Sequence, residues 1–397
     1  MLNTSARRAL LPLVAVLGLA ATACESTPVE PDYSQMLPPG SPALLPLGPD
    51  EPRPDFSDEW TNRERILPAL DRSIEWTKKA SSQRYFPIAG IDHERALASL
   101  ERFRDALTTA TSAEDFDARI GKEFQVYKSA GWDGRGGGVL FTGYCTPILD
   151  GSTQRSEVFK YPLYGLPPDL AKDKDGTILG RKGADGSTTP YPDRKTIDGT
   201  GLLANQGLEL AWLKDPMDAY IAQVQGSAVI RLAEGGELRL GYAGNNGYEY
   251  TSVRNELIRD GKLDEEEANL ATMREWALAH PREATEYMGR NERYVFFTPI
   301  EGNPRGSLNV EVTAERSLAT DKALFPRGAV TFVDTRIASG RRHAGRPMSK
   351  FMLDQDTGGA IRTAGRADIY LGVGPNAERL AGSTKVEGQL YYLFLKA

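Results

Sequence analysis

Hydrophobic residues recur at two different periods along this chain, and the change of period divides it. Between residues 57 and 124 they fall at helical spacing. Ile66, Leu67, Leu70, Ile74 and Trp76 line one face of a helix expected from Ser57 or Thr61 to about Lys79. Thr61 with Glu64 fits a capping box, and Pro68, costly in a helix interior, marks a first turn or a kink. Leu97, Leu100, Phe103 and Leu107 predict a second helix over 92–109. A third starts near Ser112 and turns Phe116, Ile120 and Phe124 inward. One later stretch, 263–279, has the same character. Asp264 and the acidic residues after it open it, where the helix dipole favours negative charge, and Pro281 stops it.

Elsewhere the pattern is that of short strands between turns. They cover 139–149, 227–232, 237–244, 293–300, 329–334, 350–356, 367–374 and 389–396. Helices cluster early, strands dominate later, and the two do not alternate regularly. The expected class is therefore α+β, mainly β, with barrel-like domains and N-terminal helices, rather than a Rossmann sheet.

The N-terminus adds a different signal. Arg7 and Arg8 precede an apolar run, residues 9–23, that is short for a membrane span and ends in small residues before Cys24. Residues 1–23 read as a secretory signal peptide. Ala-Thr-Ala-Cys at its end resembles a lipoprotein box, which would make Cys24 the lipid-attachment residue. Residues 24–55 are Pro-rich without a period and read as a tether, spanning on the order of 90 Å if fully extended. Cys145 then has no partner, and a buried, unpaired thiol is expected.

Composition narrows the chemistry. The chain has 397 residues and a net charge of −6, which disfavours a broad nucleic-acid surface. Its three histidines, His93, His280 and His343, are scattered, and no HExxH or GxSxG pattern accompanies them. No metal or cofactor is expected. The sequence DTGGAIRTAGRADIYLG, 356–372, places Asp356 and Asp368 in a Gly-rich stretch with no Lys-Ser or Lys-Thr pair, so it is not a phosphate loop. Gln223, Gln225, Gly226 and Ser227 form a polar cluster suited to sugar hydroxyls, and equally to a helix-to-strand turn. Asn245, Asn246, Tyr248 and Tyr250 admit the same two readings, since Asn-Asn-Gly is first of all a turn. Asp caps and Asx-turns are common near glycine, so Asp321 and Asp356 are as readily structural as functional. Arg362 and Arg366 fit either solvated surface or partners for carboxylates.

A series of short motifs in fixed order changes the weight of these readings. GYCTPIL, YPLYGLP, LELAWLKDPMDAYIAQVQGSAVIRL, GYAGNNGYEY, NERYVFF, RSLATD, FPRGA, QDTGGAI and GRADIYLGVG span roughly residues 140–397. The series resembles the membrane-bound lytic murein transglycosylase A family, with its C-terminal three-aspartate domain. The resemblance implies a double-psi β-barrel, built from 56–147 and 298–397 and split by an inserted, barrel-like β domain over 148–297. It implies that Asp368 is the catalytic residue, with Asp356 and Asp321 as supporting carboxylates. Tyr144, Thr146, Gln223, Gln225, Gly226, Ser227, Asn246, Tyr248, Gly358 and Gly359 are the implied substrate contacts. Departures from the family pattern are Cys145 in place of an aromatic residue, Ala228 in place of glycine, and Arg366-Ala367 where some members carry His-Phe.

The implied activity is that of a peptidoglycan lytic exotransglycosylase. Most glycosidases use two carboxyl groups. A lytic transglycosylase works with one, which protonates the MurNAc–GlcNAc oxygen and then takes a proton from the substrate's own C6 hydroxyl. The product is 1,6-anhydroMurNAc, with no water consumed. A monomer acting on glycan strands is expected, lipid-anchored at the periplasmic face of the outer membrane, with cell-wall synthesis or scaffold proteins as further partners. Two other readings stay open. One is a non-catalytic peptidoglycan-binding lipoprotein. The other is a β-1,4-glycan hydrolase on the same barrel, with Asp356 as second carboxylate.

Overall fold

The computed structural model describes residues 30–173, 176–339 and 342–397. The signal segment and Cys24 lie outside the described residues.

A ring of strands organises the body. Lys385–Leu395 pairs antiparallel with Val330–Ser339, and that strand with Arg342–Asp356. Arg342–Asp356 runs parallel to the short strand Ser317–Ala319, which is antiparallel to Arg366–Val373. Arg366–Val373 is parallel to Val139–Thr146, and Val139–Thr146 returns to Lys385–Leu395. These six strands therefore close on themselves. Lys385–Leu395 makes closure possible by its length. Its first residues pair with Val139–Thr146 and its last five with Phe124–Ser129.

Strand periodicity divides the apolar residues between two cores. Val333, Met352, Leu390 and Tyr392 enter the barrel core, with Phe141, Cys145, Ala367 and Ile369. Their immediate neighbours Phe332, Phe351, Leu353, Tyr391 and Leu393 face the other way. Against that face pack the helices Leu67–Thr77, His93–Thr109 and Ala113–Glu123, through Leu70, Leu100, Phe103, Phe116 and Ile120. This explains the unbroken apolar run LYYLFL at 390–395, which is buried on both faces.

The second sheet takes its strands from the middle of the chain. Its order is Val295–Pro299, Glu237–Asn245, Ser227–Leu232, Ile148–Ser152, Glu209–Leu213 and Tyr161–Tyr164. Helix Pro216–Gln225 covers it, and Val253–Arg259, Leu270–Ala279 and Pro281–Arg290 pack against that helix through Met217, Tyr220 and Ile221.

Several elements differ from the sequence expectation. The first helix is broken into Ser57–Thr61, a 3-10 turn Arg63–Arg65, and Leu67–Thr77, which restarts with Pro68 in its first turn. Thr61 and Glu64 form no capping box, because the backbone has already left the helix there. The stretch expected as one helix from 263 begins at Leu270. Asn269 and Thr272 make the capping box, while the Asp264 carbonyl closes a turn to Glu267 and Ala268. Pro281 starts the next helix, where its missing N–H costs nothing.

The Pro-rich stretch is also not free through residue 55. Leu44–Pro46 pairs with Phe124–Ser129, and Ala43 and Leu44 are buried in the barrel core. Further back, the Tyr33 carbonyl accepts the Thr363 hydroxyl at 2.7 Å and its phenol meets Glu387. The apolar segment Ala-Leu-Leu-Pro-Leu, 43–47, sits among prolines, so composition hides a strand that caps an otherwise unpaired edge.

One ion pair ties the first helix to the barrel. Glu59 and Arg316 are 6% and 3% exposed and meet side chain to side chain. Glu59 also accepts the Phe351 N–H at 2.9 Å, and Arg316 donates to the Phe351 carbonyl at 2.8 Å. Glu59→Ala would leave the guanidinium buried without its charge partner. The expected loss is about 3–5 kcal/mol in urea unfolding. A loss under about 0.5 kcal/mol, ordinary for a surface substitution, would show that the pair does not clamp the helix.

Candidate active site

Register and side-chain alternation select the residues of the site. Across the parallel pair, Thr142 lies opposite Asp368 and Tyr144 opposite Tyr370. Phe141, Cys145, Ala367 and Ile369 are fully buried in the barrel core. Thr142, Tyr144 and Thr146 therefore share the other face with Arg366, Asp368 and Tyr370. Ala319 stands opposite Asp368 on one side and Asp356 on the other. The two aspartates thus lie in one row across three strands, their backbones about 10 Å apart at ordinary strand spacing.

The two carboxyl groups are held differently. The Thr142 hydroxyl donates to Asp368 Oδ1. Arg366 Nη2 stands 3.7 Å from the same oxygen and donates to Thr142 Oγ1 at 3.3 Å. Asp368 is 20% exposed, and its Oδ2 makes no hydrogen bond among the described residues. Asp356 has both oxygens engaged. Oδ1 accepts the Ser307 and Thr357 N–H groups, each at 2.8 Å, and Oδ2 accepts the Tyr144 hydroxyl at 2.8 Å. Burial pushes the Asp356 carboxyl above the ordinary value of 3.8, against those hydrogen bonds and the Lys322 charge. Burial, and then the Asp356 charge, push the Tyr144 phenol well above its usual range.

Beneath the row lies a buried pair that sequence reading missed. Asp354 is fully buried and meets Lys322, itself 7% exposed. Thr320 and Tyr392 donate to Asp354 at 2.7 and 2.9 Å. Burial lowers the Lys322 ammonium, and Asp354 opposes that shift. Thr320 N–H in turn reaches the Asp356 carbonyl at 3.1 Å, so the pair braces the loop beside the site. Lys322 stands next to Asp321 in the sequence, but nothing in the chain pattern assigns it to Asp354, 32 residues away.

The other implied site residues divide into three groups. Some join the barrel to the inserted sheet. Gln225 Oε1 accepts the Cys145 N–H at 2.8 Å, and Thr146 Oγ1 stands 3.0 Å from both Ser227 Oγ and the Tyr370 hydroxyl. Ser227 and Thr146 are buried and act as braces. A second group lines the approach. Tyr248 is half-buried, with its carbonyl held by Arg293 at 2.9 Å. Gly358 and Gly359 follow Asp356, and a Cβ at Gly359 would stand 3.1 Å from Tyr250 Cβ, so glycine lets the inserted domain close in. Tyr250 lies near enough to feel the charges of Asp368 and Arg366.

The third group departs from expectation. Asn246 is 2% exposed, and its amide is spent on the Pro192 and Glu292 carbonyls and the Tyr294 N–H. It holds the turn and cannot meet a substrate. Gln223, on the inner side of Pro216–Gln225, is 4% exposed beside Tyr294. Gly226 ends that helix at φ 74°, a left-handed cap, with open space around it. Asp321 is 7% exposed and accepts the Ala323 N–H at 2.9 Å, closing an Asx-turn. Cys145 is buried and unpaired as expected, its thiol pushed up to about 12 by burial.

Two family descriptions match the strands that build this site. The "3D domain" matches residues 316–394, and the "MltA specific insert domain" matches 140–298. A protein named membrane-bound lytic murein transglycosylase A from Vibrio cholerae is 32% identical over 66% of this chain and 66% of its own length. The Escherichia coli protein of that name is 31% identical over 65% of this chain and 66% of its own. A crystal structure of the membrane-bound lytic murein transglycosylase from Agrobacterium tumefaciens superposes with TM-score 0.73 and 25% identity, covering 89% of this chain and 98% of that one. The E. coli protein with bound chitohexaose superposes with TM-score 0.66 and 23% identity, covering 93% and 97%. The chain belongs to the membrane-bound lytic murein transglycosylase A family.

The raised Asp356 carboxyl has a consequence for stability. The folded chain binds that proton more tightly than the unfolded chain, so this group costs stability as pH rises through its raised value. Asp356→Asn removes the titration. Denaturant unfolding should show wild type losing ground to the variant as pH rises above 3.8. A gap that does not change with pH would contradict the burial effect.

Proposed function

We propose that this chain is a lytic transglycosylase that cleaves the MurNAc-β-1,4-GlcNAc bond of peptidoglycan and forms 1,6-anhydroMurNAc. The observation that carries this reading is the unequal engagement of the two carboxyl groups. Asp368 has one oxygen held by Thr142 and one free, on the exposed face. Asp356 spends both oxygens on the protein. A two-carboxylate hydrolase needs its second group open to the anomeric carbon or to a water. Among the described residues only one of the two is open here.

The proposed steps use that geometry. Thr142 fixes the Asp368 rotamer and leaves Oδ2 to carry the proton. Asp368 gives it to the glycosidic oxygen as the bond to C1 breaks. The C6 hydroxyl of the same sugar attacks C1, and its proton passes to the Asp368 carboxylate. The acid is restored and no water enters. Tyr144, locked by Asp356, forms a fixed wall beside Asp368, while Tyr248, Tyr250 and the Gly358–Gly359 turn bound the approach.

Finer assignments belong to the same proposal. The six-stranded ring is read as a double-psi barrel, formed by 56–147 and 298–397 and split by the insert at 148–297. Cys24 is read as the lipid site that anchors the protein at the periplasmic face of the outer membrane. The relatives' names, membrane-bound, support an anchor.

The test is mass spectrometry of products from purified murein. Wild type should release muropeptides ending in 1,6-anhydroMurNAc, one water lighter than hydrolytic products. Asp368→Asn should cut the rate by about 10²-fold or more. Reducing-end products would instead indicate a hydrolase. Retention on murein without cleavage would leave a binding lipoprotein.

A further inference from the structure

Arg366 forms a loose ion pair with the acid. Its Nη2 is 3.7 Å from Asp368 Oδ1, beyond hydrogen-bond length. Among the described residues its one hydrogen bond goes to Thr142 Oγ1 at 3.3 Å. Its Nε is buried and has no hydrogen-bond partner among the described residues. A guanidinium carries five donors in a planar fork, and a buried donor left unpaired is costly. The side chain is 24% exposed and shares a face with Asp368, so ligand can reach it.

The neighbouring arginines have contacts of their own. Arg362 stands 3.5 Å from Glu249, and Arg293 holds the Tyr248 carbonyl at 2.9 Å. Burial lowers the Arg293 guanidinium, and the nearby Arg362 charge adds to that. The group that completes an open guanidinium fork is a carboxylate, through two parallel hydrogen bonds.

Resting on the transglycosylase reading, we propose that Arg366 is a specificity residue that reads a carboxylate carried by the glycan beside the scissile bond. In murein that carboxylate has two sources, the stem peptide where one is attached and the lactyl ether of the sugar where the stem has been removed. A glycan of the same backbone without carboxylates would leave the fork unfilled.

The experiment uses the full chain and three substrates. These are murein with its stems, glycan strands stripped of stems by an amidase, and stripped strands whose lactyl carboxylates are reduced to alcohols. KM and kcat are measured for wild type, Arg366→Gln and Arg366→Lys, with melting curves to verify folding. Wild type should favour a carboxylate-bearing substrate over the reduced strand by about tenfold or more in KM, the worth of a charge-assisted hydrogen bond. Arg366→Gln should bring that ratio to about one, and Arg366→Lys should keep part of it. A ratio that collapses for stripped strands assigns the lactyl group, and one that collapses only for stem-bearing murein assigns the peptide. A folded Arg366→Gln protein with the wild-type ratio would overturn the inference and leave the transglycosylase reading intact. If wild type released no anhydro products, that reading would fail by itself. Calorimetric Kd values for the same three glycans would then test Arg366, with an unchanged ratio again overturning the inference.

Discussion

Everything at the site depends on a strand of three residues. Ser317–Ala319 lies between Arg342–Asp356 and Arg366–Val373, parallel to one and antiparallel to the other. That insertion sets Asp356 and Asp368 on either side of Ala319. A shift of one residue in either pairing would turn one aspartate into the apolar core. The strand is too short to hold its register alone. Leu318, fully buried, anchors it in the barrel core, and the Ser317 hydroxyl reaches Gln355 Oε1 at 2.7 Å. Gln355 continues to the Ala69 carbonyl and Ser73, so the register is pinned from the helical layer.

Buried charge is used in the same way. Asp354 with Lys322, and Glu59 with Arg316, each join a loop or helix to the long strand Arg342–Asp356. Each pair has further hydrogen bonds, which compensate for removing ions from water. Such pairs add little net stability over apolar packing, but they tolerate only one arrangement. They therefore suit the backbone that sets Asp356 and Asp368 in one row. The inserted domain is tied to this frame by Gln225, by the Ser227–Thr146–Tyr370 chain, and by Arg274, which joins Asp218 of the insert to Glu378 in the helix Pro375–Ser383.

How far the fold could be read before the structure varied with the physics of each element. Helices at 93–109 and 113–123 stood out because their apolar stripes and caps are local, and Asp92 and Ser112 do cap them. The strand at 227–232 was equally plain. The helix expected from 263 started late because two cap signals compete there and only packing chooses Asn269. The tether was misjudged because proline content outweighed a five-residue apolar segment that needed an edge strand to pair with. In the site, Asp368 and Asp356 could be named from motif order. Asn246 and Gln223 could not be sorted from Gln225, since an amide looks the same in sequence whether it binds backbone, core or ligand.

The chain alone determined the alternation along Val139–Thr146 and Arg366–Val373. Thr142, Tyr144, Arg366 and Asp368 were bound to face away from the apolar residues between them, because side chains alternate at every strand position. It also determined the buried thiol of Cys145 and the acidic balance of the surface. The partner of each polar group was a tertiary decision. Asp356 became a half-buried, fully engaged carboxyl, and Asp368 a half-free one, through contacts with Ser307, Tyr144 and Thr142. Those contacts join residues 49, 212 and 226 positions apart. No local pattern encodes such distances; they exist only once six strands have closed and the register of the shortest has been fixed.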